Sequence, residues 1–174
     1  MERIQEILLR KNLPHVATIC NKHGELEPMD MNGSIKIDEV LQGVSELNRN
    51  GIILIDIKAG TSREGITKIS DISSAGLYIN NEWILEPLPF DEIDLPEVNV
   101  IPFKSDSWAL GEFIVKHKTG KKIPKRFMKS QSLLDKFCGD DDILRRLLVI
   151  DPEKREYTWN LAPQHKDTGG CAIM

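Results

Sequence analysis

Apolar residues recur at helical spacing near both ends of this chain and at strand-like spacing in a short central stretch. Ile4, Ile7 and Leu8 fall on neighbouring turns, joined by Arg10, and Pro14 stops the pattern. That spacing predicts an N-terminal helix and then a short extended piece over 15–20. Residues 21–33 are polar and glycine-bearing, which predicts a turn and a loop. From residue 34 the helical period returns: Ile37, Val40, Leu41, Val44 and Leu47 recur at three and four, with Ser34 as the N-cap candidate and Gly51 as the C′ stop. Two β-like runs follow at 52–57 and 66–70, separated by a loop that holds Gly60 and Gly65. Residues 72–105 contain four prolines and a surplus of acids, and they read as irregular. Helical spacing resumes near Asp106, where Trp108, Leu110, Phe113 and Ile114 form an apolar face, and two more helices are expected at 130–137 and 141–150. Helices outweigh strands, so the expected fold class is mainly α with short β hairpins.

Composition narrows the function classes. A chain of 174 residues, 40% hydrophobic and 29% charged, is long enough to bury one core and is not the composition of a disordered chain. Acids outnumber bases by 27 to 23, which gives no global attraction to nucleic acid. No apolar run approaches the eighteen residues of a membrane span, and the charged N-terminus lacks the core of a signal peptide. Cys20, Cys138 and Cys171 are too scattered for a disulfide framework or a metal site, so a reduced, cytoplasmic setting is expected.

Five segments carry a more specific signal through their order. They are GIILIDIKAGT at 51–61, KISDIS at 68–73, LPEV at 95–98, KSDSWALGEFI at 104–114 and LLVIDPEKR at 147–155. The first resembles the His-Arg-Asp-x-Lys-x-x-Asn catalytic loop of eukaryotic protein kinases, and the second the strand entering their Asp-Phe-Gly motif. The third resembles the Ala-Pro-Glu motif, the fourth the buried helix that follows it, and the fifth the late arginine signature. The resemblance implies a kinase C-lobe-like domain over 1–156, with 1–33 the remnant of a small lobe that is otherwise largely missing, and a flexible tail over 157–174. It also implies that Glu97 and Arg155 form a buried pair and that Asp106 braces the catalytic loop, all three as structural residues. The apolar side of the first helix (Ile4, Ile7, Leu8) is expected to lie open where the lobe is missing.

The departures from the family pattern bear on chemistry. The sequence contains neither G-x-G-x-x-G nor V-A-I-K, the parts that cover and hold nucleotide phosphates. Leu54 and Ile55 stand for His and Arg, Thr61 stands for the metal-binding Asn, and Ile72 and Ser73 stand for Phe and Gly. Asp56, Lys58 and Asp71 remain as vestigial counterparts of the base, the phosphate-facing cation and a magnesium ligand. No cofactor is therefore expected, and no residue is a confident catalytic or metal-binding one. The rival reading, a minimal protein Ser/Thr kinase completed by a partner, would require ATP and magnesium.

Two features lie outside the kinase pattern. Cys171-Ala172-Ile173-Met174 fits a C-a-a-X box whose terminal Met favours farnesyl, which makes a farnesyltransferase the expected modifying enzyme. One prenyl chain binds bilayers only marginally. A second signal is available in Lys116, Lys118, Lys121, Lys122, Lys125, Arg126 and Lys129, a run without acids that could face an anionic leaflet. The sequence thus leads to a non-catalytic, kinase-like module held peripherally at a cytosolic membrane face, where it recruits or regulates a protein partner.

Overall fold

The computed structural model describes residues 1–20, 25–88 and 94–163. Helix α1 (Glu2–Arg10) buries Ile4 completely and rests Ile7 and Leu8 partly on the core. The expected open apolar face on this helix is therefore largely closed by the chain itself.

Helix α2 (Ile37–Arg49) forms on the predicted stripe, with Val40, Leu41, Val44 and Leu47 all but fully buried. Its backbone passes so close to the preceding segment that a Cβ on Gly43 would lie 2.4 Å from the His15 carbonyl oxygen. The helix begins two residues later than Ser34 as N-cap would place it, and no described side chain caps it. Tertiary bonds decide the boundary: the Lys36 N–H donates to Thr67 Oγ1 (3.0 Å), and the Thr67 N–H donates to Glu39 Oε2 (2.6 Å).

The strand-like runs resolve differently from their sequence reading. Strand β1 is only Ile52–Ile53, because the next two amides turn inward to a buried carboxylate described below. Strand β2 (Ala59–Thr61) includes Gly60 and pairs antiparallel with β3 (Thr67–Ile69), in the register Ala59↔Ile69 and Thr61↔Thr67. The segment read as irregular holds a hairpin, β4 (Gly76–Ile79) and β5 (Glu82–Leu85), which joins β1 in a three-stranded antiparallel sheet ordered β1-β4-β5. Asn80 and Asn81 both take positive φ at its tip, the requirement of a tight primed turn. Tyr78 meets Trp83 edge-on across the strands, ring centroids 5.1 Å apart.

Helix α3 (Lys104–Thr119) is the central element and is covered along most of its length, with Trp108 and Leu110 fully buried. Helices α4 (Gln131–Cys138), α5 (Asp142–Leu147) and α6 (Thr158–Leu161) complete the order, with α5 against α3 and α6 against α2. Phe103 links the β4–β5 hairpin to α6, meeting Tyr78 at 5.9 Å and Trp159 at 5.3 Å. The result is helix-rich with small antiparallel sheets, and among the described residues no helix is long and apolar enough to cross a membrane.

Candidate functional site

The loop after β1 owes its shape to Asp106. This carboxylate is completely buried on α3 and accepts the Leu54 N–H at 3.0 Å and the Ile55 N–H at 2.8 Å. Asn48 on α2 supplies a third donor, Nδ2 to Asp106 Oδ2 at 2.6 Å, and also donates to the Ile52 carbonyl. Thr158 of α6 in turn donates to Asn48 Oδ1 at 2.8 Å. Burial raises the Asp106 pKa from its ordinary value, against the pull of these donors. The clamp holds Ile55 at φ +63°, a left-handed conformation that costs a β-branched residue on the order of 1–2 kcal/mol. Two buried amides satisfied by one carboxylate offset that strain.

Past this bend, three predicted residues come together. The Lys58 ammonium lies 2.9 Å from Asp56 Oδ2 and 2.8 Å from Asp71 Oδ2, which joins the loop to the segment leaving β3. Asp71 Oδ1 also accepts the Ser73 N–H at 2.9 Å. Burial pushes the Asp71 carboxyl upward, but Lys58 and Ser73 outweigh it and bring the value down to about 2. The bonds to Asp71 and then Asp56 raise the Lys58 pKa above the usual lysine value. Thr61 is not part of this group: its hydroxyl donates to the Ser34 carbonyl at 3.1 Å. Among the described residues no three His, Cys, Asp or Glu side chains gather as a metal-ligating set. A magnesium ion would have to displace Lys58 and would find Thr61 engaged elsewhere, so the donor set does not fit that ion.

Beside the loop lies a cavity of about 350 Å³, with Ile35 and Phe113 among its apolar walls and Asp56, Lys58, Glu112 and Lys122 among its polar ones. Glu112 was not a sequence-predicted site residue. It sits one turn beyond Trp108 on a helix whose neighbouring positions are apolar, and that placement was the available signal. Burial pushes its pKa up to about 7, the Asp94 charge adds to this, and Lys122 opposes it.

The other sequence-predicted residues divide into a packed pair and a surface run. Arg155 is fully buried and bidentate to Glu97, both N···O distances 3.0 Å, and it also donates to the carbonyls of Val149 and Lys104. Ser105 Oγ donates to the same carboxylate at 2.7 Å. Burial favours the neutral acid, but the guanidinium and hydroxyl together hold Glu97 below its ordinary pKa. Lys116, Lys118, Lys121, Lys122, Lys125, Arg126 and Lys129 are all exposed. Lys118 pairs with Asp141 at 2.6 Å, Lys125 with Asp94 at 2.9 Å, and Arg126 lies over the Phe127 ring. Cys171 and its box lie outside the described residues.

Glu112 yields a pH prediction. Its folded pKa lies above the unfolded value, so between about pH 4.5 and 7 the native state binds the extra proton, and stability falls as pH rises through that window. Glu112→Gln is expected to flatten this slope and to add on the order of 1–2 kcal/mol at pH 8, after allowance for solvent screening. Thermal unfolding from pH 5 to 8 checks it; parallel curves for the two proteins would contradict it.

No family model matches the sequence, and no curated protein does. Among solved structures the chain is similar to the ROP18 kinase domain in complex with AMP-PNP and sucrose, with a TM-score of 0.57 and 19% identity. The match covers 71% of this chain and 37% of that one, so this chain spans well under half the length of the structure it resembles. Identity this low speaks to fold alone. The helix-rich body, its small antiparallel sheets and this structural match together establish a protein-kinase-like fold.

Proposed function

We propose that this chain is a catalytically inactive kinase-like binding module, farnesylated at Cys171 and held at a cytosolic membrane face, where it recruits or regulates a protein partner. The observation that carries the non-catalytic part is how Asp56, Lys58, Asp71 and Thr61 are engaged. Lys58 is spent on both carboxylates, and the Thr61 hydroxyl is spent on a backbone carbonyl. Phosphoryl transfer depends on positioning and on charges aimed at the phosphates. Here those charges are aimed at one another.

The anchoring part is supported by the C-a-a-X box and by the basic run that begins in the last turn of α3, whose seven Lys and Arg side chains are all exposed. Each Lys or Arg at an anionic surface adds about 1 kcal/mol.

The rival is a protein Ser/Thr kinase completed by a partner, and it draws on the proximity of Asp56, Lys58 and Asp71. Titration of the purified chain with Mg-ATP, read as melting temperature, separates the two. The non-catalytic reading expects no shift at millimolar nucleotide; a rise that disappears in Asp71→Asn would establish specific binding by mass action and favour the rival.

For the anchor, the expected result is an intact mass from eukaryotic cells larger by one farnesyl group, with that increment absent from Cys171→Ser. Full-length protein of unmodified mass from farnesyltransferase-competent cells would remove the anchoring claim.

A further inference from the structure

We infer that the Lys58 ammonium serves as a built-in cation between Asp56 and Asp71, doing the structural work of a divalent ion, and that the native site admits neither magnesium nor calcium. The inference rests on the non-catalytic reading above and adds to it the way this loop is held.

The first argument is geometric. Lys58 Nζ stands 2.9 Å from one carboxylate oxygen and 2.8 Å from the other, in the place where a bridging cation would have to sit. Magnesium needs oxygens at about 2.0–2.1 Å and calcium at about 2.3–2.6 Å, so either ion must first evict the ammonium. The second is the donor count. Asp71 Oδ1 is already committed to the Ser73 N–H, and the Thr61 hydroxyl is directed at Ser34, leaving two carboxylates without a third acidic, His or Cys ligand among the described residues. The third is mechanical. Asp56 belongs to the loop bent by Asp106, and Asp71 opens the segment that leads into β4. One ammonium thus fastens the bent loop to the start of the β4–β5 hairpin segment. The strong preference of Lys58 for its charged form agrees with this role.

Replacing the cation should expose the site it fills. Melting temperatures of the full chain are compared at matched ionic strength, with and without 10 mM magnesium or calcium chloride. Wild type is expected to shift by less than about 1 °C. Lys58→Met is expected to melt about 2–4 °C lower, and calcium, whose radius suits the existing spacing better, is expected to restore most of that loss. Adding Asp71→Asn to Lys58→Met should abolish the restoration. A saturable rise of about 3 °C or more in wild type, absent from Asp71→Asn, would overturn the inference. So would a Lys58→Met protein that melts like wild type, or one that neither ion restores. Lys58→Gln makes the same comparison if the methionine variant does not fold, and the wild-type titration stands without either. An ion-binding wild type that still ignores Mg-ATP would sink this inference alone; an Asp71-dependent response to nucleotide would sink the non-catalytic reading.

Discussion

A single carboxylate with no access to water sets the geometry on which the rest of this molecule depends. Asp106 is completely buried on α3, and an unpaired charge there would cost several kcal/mol. Its donors come from two places, the Leu54 and Ile55 amides and the Asn48 side chain, and Thr158 holds Asn48 in turn by donating to its Oδ1. A buried group with that many partners has one low-energy arrangement. The arrangement fixes the end of β1, the left-handed bend at Ile55 and the direction in which Asp56 leaves the bend.

Arg155 performs the same service beside it, at the start of α3. Its guanidinium satisfies Glu97 and the Lys104 carbonyl, so the chain before α3, the start of α3 and the late 147–155 segment share one hydrogen-bonded knot. The rings of Tyr78, Phe103, Trp159 and Tyr157 run alongside and tie the β4–β5 hairpin to α6. Past the bend that Asp106 fixes, the side chains of Asp56 and Asp71 are joined by a half-exposed lysine, a lighter tie than the buried ones. The kinase-like body is thus most strongly determined where it packs and least where a kinase would act on phosphate. That contrast supports the proposal that it is non-catalytic.

Much of this is legible in the amino-acid sequence. The 3.6-residue period located α2, and the order of motif segments singled out Glu97, Asp106 and Arg155, because buried ion pairs and buried caps demand particular residues at particular places. What escaped were features set by partners distant in sequence. Ser34 has the right chemistry for an N-cap, but Thr67 and Glu39 decide where α2 starts. The β4–β5 hairpin was hidden by the surrounding prolines and acids, although its Asn80-Asn81 tip is a turn signal. Asn48 is a second such residue. It continues the stripe of Ile37, Leu41 and Val44, and a polar side chain at such a position is a sign of a buried partner.

The clearest examination of this account is native-state amide hydrogen exchange on wild type and Asp106→Asn, a change that keeps the shape and removes the charge. The account expects the Leu54 and Ile55 amides to exchange among the slowest in wild type, and at least about tenfold faster in the variant, with global stability reduced by about 3 kcal/mol. Equal protection of those two amides in both proteins, with unchanged stability, would show that the loop does not depend on the buried carboxylate.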